Sequence, residues 1–213
     1  SDFGDRTIDT NTGCQAMSNG TNDRGIIGPD TDASIASIEY VTISSTGNTT
    51  AFGERTGGHQ GHSCVSNGID DRGLFCGTYN PTNVIDYITI SSTGDSVDFG
   101  DLTVARGWNS SISNDTDDRG ITAGGGGVNG TNYRNIIDYV TISTTGDSTD
   151  FGDLAQEKNA TGSSSNGINN RGIIGGGFIS TGTYTNVIEQ VTISSTGNTT
   201  DFGDLTEEKK CTQ

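Results

Sequence analysis

One run of alternating apolar and polar residues occurs four times in this chain, at residues 38–43, 84–90, 136–142 and 187–193. Each copy begins with Ile or Val, carries one acidic residue near its start and ends in Thr-Ile. β-Branched and aromatic residues in a short run of this kind favour an extended strand over a helix. The pattern therefore predicts four equivalent β-strands, each with a carboxylate among apolar neighbours.

A Thr-Gly turn follows each of these strands, and the chain then continues through a Phe-Gly-Asp or Phe-Gly-Glu motif. Five copies of the motif are separated by 49, 47, 52 and 51 residues, and their phenylalanines are Phe3, Phe52, Phe99, Phe151 and Phe202. Two more strands precede the acidic strand in each repeat: a short polar strand, and a strand that begins at Arg-Gly and runs into glycines. No segment has helical periodicity. Four short strands in each repeat of about 50 residues are typical of a β-propeller blade.

The sequence thus predicts an all-β fold, a single four-bladed β-propeller over residues 1–213 with antiparallel strands in each blade. The predicted repeats extend over residues 8–55, 56–103, 104–154 and 155–206, with boundaries approximate. Residues 1–7 carry a surplus copy of the outer-strand motif, and residues 207–213 are expected to close the ring onto the first blade. A larger ring or an open assembly is the alternative to closure.

The order of these features resembles the Kelch repeat family. The glycine pair Gly175-Gly176, the acidic residue followed by Tyr in Asp86-Tyr87, and the aromatic residue of the Phe-Gly-Asp motif occupy the places where Kelch repeats have such residues. Where a Kelch repeat usually has Trp, this chain has Phe. The Asp-Phe-Gly-Asp-Leu-Thr repeats are also similar to those of tail- and surface-associated bacteriophage proteins. These resemblances imply a Kelch-like propeller and a structural role on a virion surface or outside the cell.

Charge narrows the range of partners. The chain has 11 Lys and Arg against 27 Asp and Glu, a formal net charge of −16, so a basic patch for nucleic acid is not expected. No apolar run approaches the roughly 18 residues of a membrane span, so membrane insertion is not expected either. Other protein subunits or host-surface glycans are the expected partners, in a homo- or hetero-oligomeric assembly.

Charged residues that repeat are expected to serve the architecture. The repeated groups are one arginine at each Arg-Gly and one acid in each third strand: Arg24, Arg72, Arg119, Arg171, Glu39, Asp86, Asp138 and Glu189. An acid on an apolar strand face requires a partner. We expect Arg72 to contact Asp86 and Arg119 to contact Asp138. A ring of arginines that binds an anion is the alternative.

The cysteines suggest two disulfides. Cys64 and Cys76 flank a turn centred near residue 70, so they are expected to lie level on adjacent antiparallel strands. Cys14 lies in the first strand of the first repeat, and Cys211 follows the last motif, where a closed ring would bring them together. A Cys14–Cys211 bond would close a very long loop and contribute roughly 5 kcal/mol in the chain-entropy model.

Residues outside the repeats are the candidates for ligand binding. The loops between second and third strands bear the aromatic and amide groups Tyr79, Asn80, Tyr133 and Tyr184. Closely spaced acids suggest calcium weakly, at Asp30 with Asp32 and at Asp115 with Asp117, although solvated turns explain them better. No other cofactor is expected.

No catalytic residues emerge from the sequence, which predicts a protein that is not an enzyme. The expected function is an extracellular or virion-surface module, such as part of a tail fibre, that acts in structure and adhesion through its blade loops. A carbohydrate-binding lectin is the first alternative. A copper radical oxidase is a remote second one, because Kelch-like propellers include such enzymes and Tyr79 and Cys64 occur in one repeat.

Overall fold

The computed structural model describes residues 2–7, 15–29, 36–56, 60–80, 82–127 and 131–210. These residues form four antiparallel sheets of four strands each, arranged as the blades of a four-bladed β-propeller. The β-branched third strand pairs with the Arg-Gly strand on one side and with the Phe-Gly-Asp strand on the other in every sheet. The all-β fold and the strand order expected from the repeats are therefore confirmed.

The strand bounds follow the repeats closely. Sheet 1 contains β1 (Ala16–Met17), β2 (Arg24–Ile27), β3 (Ser37–Thr42) and β4 (Thr50–Glu54). Sheet 2 contains β5 (Ser63–Val65), β6 (Arg72–Cys76), β7 (Val84–Thr89) and β8 (Val97–Asp101). Sheet 3 contains β9 (Ser110–Ile112), β10 (Arg119–Ala123), β11 (Arg134–Thr141) and β12 (Thr149–Lys158). Sheet 4 contains β13 (Gly162–Ser165), β14 (Gly172–Gly175), β17 (Val187–Val191) and β18 (Thr200–Asp204), with the hairpin β15 (Phe178–Ser180) and β16 (Thr183–Tyr184) between its second and third strands.

Within the described residues the hydrophobic core is divided into three clusters, one between each pair of consecutive sheets. The cluster between sheets 2 and 3 contains Leu74, Ile85 and Phe99 from sheet 2, and Val140 and Ile142 from sheet 3. Corresponding residues form the clusters between sheets 1 and 2 and between sheets 3 and 4. Sheets 2 and 3 thus each have one face directed at the preceding sheet and one at the following sheet, which we call the incoming and outgoing faces of a sheet.

A β-bulge occurs in every sheet at the acidic residue of the third strand. In sheet 2, Ile85 pairs with Gly100 and Asp86 pairs with Asp98, so Phe99 is the extra residue between them. The same register shift occurs beside Glu39, Asp138 and Glu189. Because a bulge redirects side chains locally, it places the phenylalanine in the inter-sheet core and the acid beside the chain that enters from the preceding sheet.

No helix in the described part of the chain is long and apolar enough to cross a membrane.

Candidate functional site

The four acids of the third strands are almost completely buried, with exposed fractions of 0–1%. Each is paired with a basic residue that follows the preceding copy of the Phe-Gly-Asp or Phe-Gly-Glu motif. The pairs are Arg6 with Glu39, Arg55 with Asp86, Arg106 with Asp138 and Lys158 with Glu189. The expectation that these carboxylates have partners is confirmed, but the partners are not the arginines that the sequence suggested.

Asp86 shows the arrangement in detail. Its Oδ2 accepts a hydrogen bond of 2.9 Å from Nε of Arg55, and its Oδ1 accepts one of 3.2 Å from the hydroxyl of Thr56. Arg55 Nη2 also donates to the carbonyl oxygen of Gly77 at 3.2 Å. Further hydrogen bonds to both partners offset the cost of burying an ion pair, and here they reach Asp86 and the Nη2 of Arg55, whereas the buried Nη1 of Arg55 has no hydrogen-bond partner among the described residues. The pair joins sheets 1 and 2, because Arg55 follows sheet 1 and Asp86 lies on β7 of sheet 2.

Glu39 of sheet 1 is held by the N-terminal segment. Arg6 Nε donates to its Oε2 at 2.8 Å, and Thr49 Oγ1 donates to its Oε1 at 2.7 Å. Thr7 donates to Oε1 through its backbone N–H at 3.2 Å and also through its hydroxyl. Burial by itself raises the pKa of Glu39, but the hydrogen bonds from Thr7, Thr49 and Arg6 outweigh burial, so the pKa lies below its ordinary value.

The arginines of the Arg-Gly pairs do not contact the buried acids, so the predicted pairs Arg72–Asp86 and Arg119–Asp138 are wrong. Arg72 lies opposite Thr89 in the β6–β7 pairing, whereas Asp86 lies three residues earlier in β7, opposite Phe75. Arg119 and Asp138 are offset in the same way, because Arg119 pairs with Thr141.

These arginines instead join consecutive sheets by another route. The Nη1 atoms of Arg24, Arg72 and Arg119 donate to the carbonyl oxygens of Ile90, Ile142 and Ile193 in the next sheet, at 2.9, 3.1 and 3.0 Å. Their guanidinium groups lie over the rings of Tyr40, Tyr87 and Tyr139, at 4.7, 4.8 and 4.7 Å from the ring centroids. Arg171 of the last sheet lies 5.8 Å from the ring centroid of Phe202. The interactions found for the first three arginines are structural and do not form an anion-binding ring.

Cys64 and Cys76 do not form a disulfide with each other, so that prediction is also wrong. In the β5–β6 pairing, Cys76 lies opposite Ser63, and Cys64 lies opposite Phe75. The true centre of the turn is half a residue earlier than the sequence suggested, and neighbouring positions on a strand face opposite sides of the sheet. Cys64 therefore packs between sheets 1 and 2, and Cys76 packs between sheets 2 and 3. Cys14 and Cys211 lie outside the described residues.

Of the weak calcium candidates, the structure describes only Asp115 and Asp117, which form hydrogen bonds with Gly167 and Asn114. Asp30 and Asp32 lie outside the described residues. The Asp117 carboxylate accepts a hydrogen bond of 2.9 Å from the side-chain amide of Asn114, and Asp115 donates its backbone N–H to the carbonyl of Gly167 at 3.3 Å. Among the described residues, no group of three or more His, Cys, Asp or Glu side chains could hold a metal ion.

The aromatic loop residues are distributed over separate junctions. Tyr79 packs edge-on against Trp108, with ring centroids 5.8 Å apart, and both side chains are half-buried. The Trp108 backbone is in the left-handed region, with φ 56°, and its N–H donates to the carbonyl of Gly61 at 2.7 Å. Asn80 contributes its backbone carbonyl, which accepts a hydrogen bond of 2.6 Å from the hydroxyl of Thr78. No sequence signal connects Trp108 with Tyr79.

A second aromatic group lies on the hairpin of sheet 4. Tyr184 on β16 packs against Phe178 on β15 with ring centroids 4.8 Å apart, and the Lys210 ammonium lies 5.6 Å from the Phe178 ring centroid. The sequence pattern predicts only a loop between the second and third strands here. Gly182, with φ 76°, between two short runs of β-branched and aromatic residues was the available signal for a hairpin. Tyr133 is half-buried in the corresponding loop of sheet 3.

No protein-family model matches this chain, and no curated protein matches it. A solved structure titled "Structure of YjhT" is similar to it, with a TM-score of 0.73 at 10% sequence identity. The similarity covers 97% of this chain and 69% of that one. At this level of identity the similarity supports the β-propeller fold.

Proposed function

We propose that this chain is a non-enzymatic structural and adhesion module that acts outside the cell or on a virion surface and contacts other protein subunits through its blade loops. The β-propeller fold is compatible with a protein–protein interaction module. One observation carries the proposal. The repeated acids and their basic partners form ion pairs with each other inside the molecule, and three of the four Arg-Gly arginines bond to backbone carbonyls of the next sheet. The non-repeated aromatic residues Tyr79, Trp108 and Tyr184 instead lie half-buried in the connections between the repeated strands.

The proposal that the chain is not an enzyme rests on the same observation. Buried carboxylates with a basic neighbour often mark catalytic sites, because such surroundings shift pKa values. Here each of the four carboxylates is bonded to a basic side chain and also accepts at least one hydrogen bond from a hydroxyl or backbone N–H group. Their fourfold repetition fits a structural joint better than a single reactive centre.

The proposed location is supported by composition and by resemblance. A net charge of −16 on 213 residues makes copies of the chain repel one another, which suits a protein on a crowded particle or in an extracellular matrix. The Kelch-like order of features and the likeness to Asp-Phe-Gly-Asp-Leu-Thr repeats of bacteriophage tail and surface proteins favour the same setting.

The loop surface is tested by cross-linking the tagged protein to material from its native surroundings and quantifying the captured subunits by mass spectrometry. Tyr184→Ser removes a rim aromatic, and such anchors often dominate binding, so capture of a specific partner should fall by about tenfold. Ile168→Ser is the matched control, because Ile168 is 84% exposed but lies in a turn between first and second strands, away from the hairpin. Equal losses from both variants, or none, would contradict the role of the rim.

A lectin is the second candidate, and the Tyr79–Trp108 pair favours it. Sugars stack on half-exposed aromatic faces, and the hydroxyl of Thr82 lies close by, 3.3 Å from that of Thr78. Trp108 is the sole tryptophan, so its fluorescence should change when a sugar binds. A glycan array followed by fluorescence titration tests this function. An array without any bound glycan would count against it and leave the protein-contact proposal standing.

A further inference from the structure

A hollow of about 320 Å³ lies at the turn between β7 and β8 of sheet 2. Its volume is at the lower end of the roughly 300–1,000 Å³ of small-molecule sites. The side chains that line it belong to the two strands and to the turn between them: Tyr87, Thr89, Ser92, Thr93, Asp95 and Val97. The hollow therefore has room for one small ring of a ligand.

The turn that forms the hollow is fixed to sheet 1. The N–H of Gly94 donates to the carbonyl of Phe52 at 2.9 Å, and the N–H of Glu54 donates to the Oδ1 of Asp95 at 2.9 Å. The backbones are in close contact, because a Cβ added at Gly53 would come within 2.0 Å of the Gly94 carbonyl oxygen. The hollow is thus preformed, which lowers the entropic cost of binding a ligand there.

The polar groups of the hollow match a ligand that carries several hydroxyl groups. Thr89, Ser92 and Thr93 are exposed and present hydroxyls, which both donate and accept hydrogen bonds. The exposed carboxylate of Asp95 accepts hydrogen bonds and repels anions. Among the described residues that line the hollow there is no basic side chain. A neutral, hydroxyl-bearing ligand therefore fits this wall better than an anion does.

One apolar side chain distinguishes this hollow from the corresponding turns of the other sheets. Val97 lies opposite Tyr87 in the β7–β8 pairing and is 55% exposed. The residue in the same register position is a threonine in each of the other sheets: Thr50, Thr149 and Thr200. Directly opposite residues share a sheet face, so Val97 and the Tyr87 ring form a small apolar wall beside the hydroxyls.

The ring of Tyr87 is held in a fixed position by its neighbours. The guanidinium of Arg72 lies 4.8 Å from the ring centroid, and the Phe99 ring packs edge-on at 6.0 Å. Arg72 also donates to the carbonyl of Ile142 at 3.1 Å, so this cation is bound within the architecture. The half-buried ring of Tyr87 thus contributes an ordered apolar edge to the hollow.

We propose that this hollow binds one neutral sugar residue of the 6-deoxyhexose class. Such a sugar has a methyl group at one edge of its ring and hydroxyl groups around the rest. The methyl group lies on Val97 and Tyr87, and the hydroxyl groups bond to Thr89, Thr93 and Asp95. An ordinary hexose places a hydroxymethyl group on Val97 instead, where its hydroxyl loses water without gaining a partner. Because the wall is open, a single residue binds weakly, in the millimolar range.

The inference deepens the lectin candidate and rests on it, since both require a glycan, but the two surfaces are separate. Tyr79 precedes β7 and the turn of the hollow follows it, so the two sites lie at opposite ends of that strand. A strand of six residues spans about 20 Å, which is more than one sugar ring can bridge. A measurement that reports individual residues therefore distinguishes the hollow from the Tyr79–Trp108 pair.

Titration of the ¹⁵N-labelled full chain by NMR tests the proposal. The probes are methyl α-L-fucoside and methyl α-L-galactoside, which differ only in the hydroxyl on C6, and methyl α-L-rhamnoside and methyl α-L-mannoside, which differ in the same way on another ring stereochemistry. We expect amide shifts in residues 92–97. In at least one pair the deoxy sugar should bind about tenfold more tightly, the low end of the discrimination that one small apolar group gives.

Two reciprocal substitutions locate the apolar contact. Val97→Thr gives sheet 2 the residue of the other sheets and should weaken binding of the deoxy sugar by about tenfold. Its melting temperature should not change, because Val97 is exposed. Thr149→Val makes the matching change in sheet 3, where Tyr139 and Asp147 occupy the equivalent positions. This variant should gain a second set of shifts, in residues 144–149.

The proposal is overturned if the deoxy sugars bind no more tightly than their hydroxylated partners in both pairs, if Val97→Thr binds as well as the original chain, or if Thr149→Val gains no site. Shifts confined to Tyr79 and Trp108 would also overturn it, and would support the lectin candidate at that pair. Shifts at neither place count against both glycan sites. The capture experiment with Tyr184→Ser tests the protein-contact proposal independently of all these results.

Discussion

Asp138 offers a direct comparison between two arginines, Arg106 and Arg119. Both side chains contact sheet 3, and the sequence pattern favours Arg119 as the partner of the acid. In the structure, Arg106 is fully buried and its Nη1 lies 2.8 Å from Oδ2 of Asp138, while Nη2 donates to the carbonyl of Thr122 at 3.2 Å. Arg119 is half-buried and binds the carbonyl of Ile193 in the next sheet.

Replacing each arginine by methionine should therefore have unequal effects. Arg106→Met leaves the Asp138 carboxylate buried without its counter-charge, and removal of one partner of a buried pair costs about 3–5 kcal/mol. Arg119→Met removes one hydrogen bond to a carbonyl and one contact with the ring of Tyr139, which together contribute about 1–2 kcal/mol at a half-exposed site. Because folded domains are stable by only about 5–15 kcal/mol, the first variant should lose a large part of its stability.

Urea unfolding measures the difference. With an m-value of about 2 kcal/mol/M, Arg106→Met should lower the midpoint by about 1.5–2.5 M and Arg119→Met by about 0.5–1 M. Far-UV circular dichroism is the primary signal, because Trp108 lies two residues from Arg106 and its fluorescence would respond to the substitution itself.

A double-mutant cycle separates the ion pair from general disruption. Combining Arg106→Met with Asp138→Asn removes the buried charge, so the double variant should be more stable than additivity predicts by about 1–3 kcal/mol. The reasoning is refuted if Arg119→Met proves at least as damaging as Arg106→Met, or if Asp138→Asn shows no coupling to Arg106.

Two further predictions concern ionisable groups. The pKa of Glu39 lies below its ordinary value of 4.5 in the folded protein, so its stabilising contribution is complete above that pH and is lost as the pH falls through the lower folded value. The stability advantage over Glu39→Gln in denaturant unfolding should thus shrink in acid, and an advantage that is constant with pH would contradict this. Burial raises the pKa of the Cys76 thiol, so maleimide should label it slowly in the native protein and rapidly in urea, and peptide mapping should find no Cys64–Cys76 bond. Rapid native labelling or a linked peptide would disprove the assigned strand register.

The sequence was sufficient to predict the sheets because the signals that define a strand are local and occur four times. The alternation of residues 84–90 and the glycine of each turn are both read within a few positions of one another. The identity of the partner of Asp86 was not predictable in this way. Arg72 and Arg55 both occur near it in sequence, and the choice depends on how the chain passes from sheet 1 to sheet 2, which is a tertiary feature.

The cysteine prediction failed for a different physical reason. A turn centre estimated at residue 70 differs from the observed centre by only half a position, yet that shift moves Cys64 from opposite Cys76 to opposite Phe75. Side chains on a strand alternate between faces, so the smallest error in register reverses the conclusion. The Tyr79–Trp108 contact was beyond the sequence as well, since it joins two loops from different sheets and neither loop repeats.

The ion pairs explain how a chain with only 29% hydrophobic residues can hold its sheets in order. A single sheet carries its acid on the third strand, but the base arrives from the chain segment before it, so the charge is neutralised only when consecutive segments are docked. A sheet detached from its neighbour would expose its core face and also lose the counter-ion of a carboxylate. The apolar cluster and the ion pair therefore depend on the same contact, and each sheet is stabilised chiefly by its neighbours, as in other repeat proteins. Sheet 1 meets the same requirement through Arg6, which is why the N-terminal segment must dock before that sheet is complete.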